Sequence, residues 1–371
     1  MLRSYLVFAS VSATALAMVA TVNCGGGTDT SDGGSGGATT TTTTTSTGGT
    51  GTGAGVVPPA PGPEKPGDGA TSVTFAVSKL YLGDTNPDGT PNVANGWKKF
   101  GYDLDGKVST ATSTDLCKPR NNAAAKNVYP DGDDGIDNAF GKSILPVILN
   151  LSSGAATTIN ESIAEGSFTL MMDMQKLGTG ADYNPLVTRF YAGADRGAPP
   201  AWDGNDLWKV RPELLNNPAD ITSSKIQFPT SYLVANKWVS GTKGDVNLGL
   251  EISGFTLNLT ISSAWITLDL DPTHKHGTKG VIAGVLQTDT LISELQKIAG
   301  SVDPNFCDPE NATFKSIATQ IEQASDILSN GTQDPTKLCD GISIGLGFDA
   351  ELVKLDGVAP AGQPSPNPCA P

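Results

Sequence analysis

Three stretches of the chain gather oxygen ligands within a few residues of a glycine, the arrangement with which loops hold hard cations. Asp84-Thr85-Asn86-Pro87-Asp88-Gly89 follows the opening of a calcium loop, D-x-[DN]-x-[DN]-G, in which alternate side-chain oxygens and a turn at Gly wrap an ion. Its twelfth position is Asn95, where such loops place a Glu that supplies two oxygens at once. Asp103-Leu104-Asp105-Gly106 is a second cluster, and Asp131-Gly132-Asp133-Asp134-Gly135-Ile136-Asp137-Asn138 is the densest. Carboxylates crowded this closely repel one another unless a cation or water lies between them. Asp131, Asp133, Asp134 and Asp137, together with Asp103 and Asp105, are therefore the expected calcium ligands. The alternative is plain turns, which Asp-Gly and Asn-Pro make without any ion.

Other constellations invite chemistry and read more simply as structure. Gly341-Ile342-Ser343-Ile344-Gly345 has the spacing of a nucleophile elbow, but that turn needs a helix after the Ser and an Asp and then a His further along. Both His lie upstream and a strand pattern follows, so Ser343 is expected inside a strand. His274 and His276 flank Lys275 between Asp271 and Gly277, and two imidazoles without a third ligand predict a solvated turn. Asp269 and Asp271 share a face at a strand end, the least that an acid/base pair requires. They frame an alternative function, an extracellular glycosidase-like hydrolase. Trp202-Asp203-Gly204-Asn205-Asp206-Leu207-Trp208 combines aromatic faces with hydrogen-bonding side chains, as sugar-binding loops do, although Trp beside strands is more often core.

The elements that must position these residues are mostly strands. Apolar and polar residues alternate through Val73-Phe75-Val77, through Phe168-Leu170-Met172-Met174, and from Leu248-Leu250-Ile252 into Phe255-Leu257-Leu259-Ile261. One buried face and one wet face predict antiparallel sheets. Further strands are expected at 231–239, 265–270, 280–286 and 342–355. Two helical patterns interrupt them. Thr288 or Asp289 opens a run with Leu291, Ile292, Leu295 and Ile298 that ends at Gly300, and Asp308-Pro309-Glu310 opens one with Phe314, Ile317, Ile321 and Leu328 that ends at Gly331. A shorter helix fits 156–165. The expected fold is mainly β, an antiparallel β-sandwich with an inserted helical hairpin, spanning 73–371 with 73–150 as a possible subdomain.

The N-terminus carries an address. Arg3 precedes an apolar run from Leu6 to Val22 broken only by Ser and Thr, so residues 1–23 read as a signal peptide. Cys24 closes that run and opens Gly25-Gly26-Gly27, which resembles a bacterial lipoprotein signal, with Asn23 and Thr21 standing where a small residue and Leu are usual. The resemblance implies lipidation at Cys24. Residues 24–72, rich in Gly, Thr and Pro and including a run of Thr from Thr39 to Thr45, have no apolar surface to offset chain entropy and are expected to be a disordered tether. Five Cys is an odd number, and setting Cys24 aside leaves Cys117, Cys307, Cys339 and Cys369 for disulfides in an oxidising compartment. Cys307 and Cys339 bracket the second helix and are expected to pair, with Cys117 and Cys369 pairing or staying free.

A net charge of −14 leaves no means of displacing counterions from phosphate backbones, so nucleic acid is excluded as a partner. The segments Gly96-Trp97, Tyr102-Asp103-Leu104-Asp105-Gly106-Lys107, Ser113-Thr114-Asp115-Leu116-Cys117 and Asp134-Gly135-Ile136-Asp137-Asn138-Ala139-Phe140-Gly141 resemble those of surface lipoproteins of myxobacterial type, and the likeness continues through 318–326 and 342–348. That resemblance implies export to the outer membrane or cell surface and carries over no activity. The expected function is a binding or structural module, held to a membrane by its lipid, stabilised by calcium, and with a glycan or envelope component as its partner.

Overall fold

The computed structural model describes residues 55–151, 154–252, 255–361 and 367–369. The expected signal peptide, Cys24 and the tether as far as residue 54 lie outside the described residues. Strand exceeds helix, 31 % against 23 %, which makes the chain mainly β.

After β1 (Val73–Tyr81) the chain runs through a long irregular stretch and three helices, α1 (Ala125–Val128), α2 (Leu145–Leu151) and α3 (Ala155–Glu165). Next come β2 (Thr169–Met174), β3 (Thr188–Gly193), β4 (Leu207–Val210), β5 (Ile226–Phe228), β6 (Tyr232–Val234) and β7 (Lys237–Val239). The long strands β8 (Gly244–Ile252), β9 (Phe255–Leu270) and β10 (His276–Gln287) precede α4 (Thr288–Val302) and α5 (Ala312–Gln323), and β11 (Gly341–Val358) closes the fold. The helical hairpin is where the sequence put it, between β10 and β11. The second helix begins later than Asp308, because Asn311 caps it by accepting from the Thr313 and Phe314 amides.

Among the described residues all eleven strands belong to one hydrogen-bonded sheet that is not a barrel. Its centre is β11, antiparallel to β1 on one side and to β10 on the other. The expectation of purely antiparallel pairing is corrected at β4, which runs parallel to β11, so the sheet is mixed. Alternate residues go to opposite sides. Phe75, Met172, Phe190, Ile282 and Ile344 enter the main core, whereas Ala76, Met171 and Tyr191 join a smaller cluster around Trp208, and Ala283 and Val285 join another around Tyr102. Strands buried on both sides explain why runs such as 280–286 are almost continuously apolar.

The disulfides are Cys117–Cys339 and Cys307–Cys369, in place of the expected Cys307–Cys339 pair. The reason is tertiary. Residues 117–118 lie alongside 337–339, with Lys118 N–H donating to Lys337 O (2.7 Å) and Cys339 N–H to Lys118 O (2.9 Å), so Cys117 already faces Cys339. Spacing around one helix carries no trace of a partner 222 residues away.

The tether expectation is corrected too, for its last part. Residues 55–69 are strapped along the body. Gly55 O accepts from Asp103 N–H (2.8 Å), Pro58 O from the Tyr232 hydroxyl, and Pro61 O from Asn184 Nδ2 (3.1 Å). Lys65 and Asn184 exchange a pair of backbone bonds at 2.7 Å, and Tyr183 donates to Asp68 Oδ1 (2.6 Å). Prolines at 58, 59, 61, 63 and 66 keep this segment extended, with its carbonyls turned outward to accept. Among the described residues no helix is long and apolar enough to cross a membrane.

Candidate metal centre

The strongest concentration of like charge sits where four remote parts of the chain meet beside β11. The first is the turn at 103–107. Asp103 Oδ1 accepts from the amides of Gly106 (2.7 Å) and Lys107 (3.0 Å), and Asp105 Oδ1 accepts from Lys107 N–H (2.8 Å). The second is the 131–138 segment, laid against the first by two bonds: Asp137 N–H donates to Tyr102 O (3.0 Å), and Leu104 N–H donates to Asp137 Oδ2 (2.7 Å). Asp131 Oδ2 accepts from Ser109 N–H. The third is Asp326, which follows α5 and accepts from Ser343 N–H (2.8 Å) and the Ser343 hydroxyl (2.6 Å). The fourth is Gln333, whose Nε2 donates to Asp105 Oδ2 (2.7 Å) and to Asp326 O (3.0 Å), while its Oε1 accepts from Cys117 N–H (2.9 Å).

Asn138 bolts this assembly to the sheet. Its Nδ2 lies 2.9–3.1 Å from the carbonyls of Trp97, Phe100 and Gly345, and its Oδ1 accepts from the amides of Gly141 and Gly345. The fit depends on Gly345, because a Cβ there would lie 2.1 Å from Phe100 O.

Asp103, Asp105 and Asp137 each place a carboxylate oxygen within 4.8 Å of the others. Two oxygens bound to one calcium at about 2.4 Å can be no more than about 4.8 Å apart, a condition each pair of the three meets. Asp137 is only 3 % exposed. Burial, reinforced by repulsion from Asp105, Asp326 and Asp131, holds its carboxyl well above the usual carboxylate range. Burial likewise pushes Asp131 up to about 8 and Asp326 up to about 6, and it raises Asp103 and Asp105. Lys142, donating to Val128 O and Pro130 O, is near enough to counter Asp326 and Asp131, and its own pKa is lowered by burial. The carboxylates outnumber such cations. Ser109 adds an independent sign: its hydroxyl is buried in a residue only 7 % exposed and has no hydrogen-bond partner, although its amide touches the Asp131 carboxylate. A neutral oxygen beside the acids is what a calcium sphere of six to eight ligands recruits once carboxylates run out.

Of the expected ligands, Asp103, Asp105 and Asp137 are brought together, with Asp131 beside them. Asp133 and Asp134 are exposed, and Asp133 pairs with Lys99 at 3.2 Å. Asp326, Ser109 and Gln333 escaped the sequence. Asp326 has no acidic neighbour within three residues, so no local cluster marks it in the sequence.

The other constellations have most of their polar groups occupied, although the Thr85 hydroxyl of the 84–92 loop is buried without a partner. In the 84–92 loop, Asp88 Oδ1 accepts from the amide and hydroxyl of Thr90, and Asn86 bonds to Thr90 and Asn92. Ser343 lies in β11, where its hydroxyl donates to Asp326 and accepts from Ala139 N–H (2.8 Å). His274 is buried between Gly178 O (2.8 Å) and Asn236 Oδ1 (3.2 Å), and His276 is paired with Glu351 at 2.5 Å, so the imidazoles serve separate partners. Asp269 meets Lys237. Asp271 is held below the usual carboxylate range by the Thr273 hydroxyl and by the amides of His276, Lys275 and Thr273, the wrong direction for a general acid. Trp208 is fully buried, 5.8 Å from Trp202, and the Asp206 carboxylate is taken up by Arg196 and the amides of Ala201 and Trp202. A depression lined by Leu259, Leu286 and Leu291 encloses about 10 Å³, room for one water.

No known protein family, no curated protein and no solved structure matches the chain.

Proposed function

We propose that this chain is an exported module, lipid-anchored at Cys24 to the outer membrane or cell surface, that binds or braces an envelope component such as a glycan and depends on calcium for its rigidity. The observation that carries the calcium reading is the approach of Asp103, Asp105 and Asp137 oxygens to within 4.8 Å of one another, with half-buried Asp131 and Asp326 alongside. The donors are all oxygen, the choice of a hard cation. Bound there, calcium would neutralise the mutual repulsion of the acids and tie 103–105 to 131–137. Two disulfides support a location outside the reducing cytoplasm.

The sandwich reading belongs to the same proposal. Trp238 of β7 donates to Thr188 Oγ1 of β3 (3.0 Å), and Phe228 of β5 meets Trp238 edge-on at 6.1 Å, contacts between distant strands that support two facing layers.

The experiment is thermal unfolding of the purified body in millimolar calcium and in chelator. Calcium should raise the midpoint; identical curves would leave the acids as an ion-free turn. For the anchor, Cys24→Ala should move the protein from the membrane to the soluble fraction, and unchanged membrane association would refute lipidation. Binding is tested by a screen of glycans and envelope extracts against substrate panels for turnover. Turnover abolished by Asp269→Asn or Asp271→Asn would favour the hydrolase.

A further inference from the structure

Asp103 is engaged from two directions. Its carboxylate belongs to the acidic cluster, while its amide donates to Gly55 O (2.8 Å), at the first described residue of the strap. Gly55 is buried flush against the other half of the cluster: a Cβ there would lie 2.4 Å from Asp134 O. Two residues on, Val57 packs against the group that contains Tyr102 and Leu104. These are the residues whose carbonyl and amide grip Asp137. The upstream end of the strap therefore rests on the same two pieces of backbone, 102–104 and 134–137, that set the spacing of the carboxylates.

The rest of the strap is lightly held. Pro59, Ala60 and residues 62–66 are exposed, and between Val57 and Asp68 the grip is the Lys65–Asn184 backbone pair, the Tyr232 and Asn184 side chains donating to Pro58 O and Pro61 O, and the Lys65 ammonium 5.0 Å from the Tyr183 ring. A segment with so little buried apolar surface opens at low free energy unless its seat is rigid. The seat crowds carboxyls that burial and mutual repulsion make costly to ionise, and beside it Ser109, whose amide donates to Asp131, keeps a buried hydroxyl without a partner.

We propose that cation binding at the acidic cluster and seating of residues 55–69 are coupled, so that a divalent cation fastens the strap to the body. This rests on the cation reading above. The physical link is short. An ion that draws Asp103, Asp105 and Asp137 together immobilises the 102–104 backbone against 134–137, which is the surface Gly55 and Val57 occupy. Linkage makes the effect reciprocal: whatever loosens the strap must weaken the ion by the same factor.

The test uses the full mature chain, with calcium chloride as the probe. Hydrogen exchange is followed at the amides of Lys65, Gly69 and Asp103, and calcium affinity is measured by calorimetry for the wild type, Gly55→Val and Lys65→Pro. Gly55→Val drives a side chain into Asp134 O, and Lys65→Pro removes the amide that bonds to Asn184 O, a residue that takes no part in the acidic cluster. Calcium should slow exchange at the three amides about tenfold, and each variant should bind calcium about tenfold more weakly, within the usual 5- to 150-fold range of coupling. If the wild type binds calcium but strap exchange is unchanged, or Lys65→Pro binds as tightly as the wild type, the coupling is refuted while the cation site stands. If the wild type binds no calcium, the site and the coupling fall together. Lys65→Pro keeps the question open to an answer should Gly55→Val fail to fold.

Discussion

Residues 84–92 and residues 131–137 look alike as sequence, each setting carboxylates and glycines at loop spacing, and the fold puts them to opposite uses. In the first, Asp88 caps Thr90 two residues away, and Asn86 and Asn92 bond to each other. The Asp88 and Asn86 oxygens that a calcium loop would offer to an ion are turned on the loop itself, and Asn95 stands where the bidentate acid would be. In the second, the local backbone accounts for little. Asp137 is gripped by Leu104, Asp131 by Ser109, and their neighbours Asp105 and Asp326 arrive from elsewhere. A match to a loop motif thus says less about a site than whether the carboxylates have partners within their own turn.

The comparison can be broken at its largest support. Cys117–Cys339 holds the irregular 103–137 stretch against the approach to β11, whereas nothing in 84–92 depends on it. Replacing both with Ser should cost about 2–5 kcal/mol in denaturant unfolding and should also weaken calcium binding. Serines at Cys307 and Cys369 should cost stability and leave calcium affinity intact, because that pair secures the helical hairpin. Equal loss of calcium affinity in both would show that the cluster responds to general loosening and to no particular tie.

A sharper cut is at single carboxylates. With a dissociation constant of about 10⁻⁴ M and calcium at ten times that value, binding should add about 1.4 kcal/mol to the stability of the wild type. Asp137→Asn should abolish that increment, while Asp88→Asn should leave it whole. In chelator the order reverses in an informative way: Asp137→Asn removes a crowded acid and should be tolerated. A calcium increment that survives Asp137→Asn would move the site elsewhere.

How far the sequence reached follows the same line. Strands with strict alternation, such as β1 and β2, and amphipathic helices such as α4 and α5 announce themselves because their periodicity is local. β3, β4 and β5 did not, being short and flanked by residues with turn signals of their own. About half of the acidic cluster was legible in Asp103, Asp105, Asp131 and Asp137. Asp326 and Gln333 were not, since each is an isolated residue whose role comes from the path of the chain. The disulfide pairing and the strap were misread for the same reason: both are long-range contacts of segments whose composition suggested none.

The pH response separates the two regions again. For Asp131 and Asp326 the folded carboxyls hold protons that the unfolded chain, with its ordinary value near 3.8, has already released. Between about pH 4 and about pH 8 the folded form therefore binds more protons, and its stability in chelator should fall as pH rises. Calcium displaces those protons and should flatten or reverse the slope. Asp88 is displaced the other way, lowered by its bonds to the Thr90 hydroxyl and amide, so its contribution is present above the ordinary carboxylate range and is lost in acid. Unfolding midpoints from pH 4 to 9, with and without calcium, test the sign, and a chelated protein that gains stability toward pH 8 would contradict it.

The smallest effect distinguishes carboxylates inside the 131–137 segment itself. Asp133 and Asp134 match the ligand pattern as well as Asp131 and Asp137 do, yet they point outward, and Asp133 meets Lys99 across a solvent-exposed gap of 3.2 Å. An exposed pair of that kind contributes about 0.2–1 kcal/mol and is screened by salt. Asp133→Asn should therefore lower stability by no more than that at low salt and by less at 0.5 M sodium chloride, with calcium affinity unchanged. Because the substitution keeps the side chain's size and removes only its charge, a calorimetric titration of this variant isolates the charge contribution. If its calcium affinity drops as far as that of Asp137→Asn, the ion sits on the outer face of the segment, and the cluster of Asp103, Asp105 and Asp137 is not what holds it.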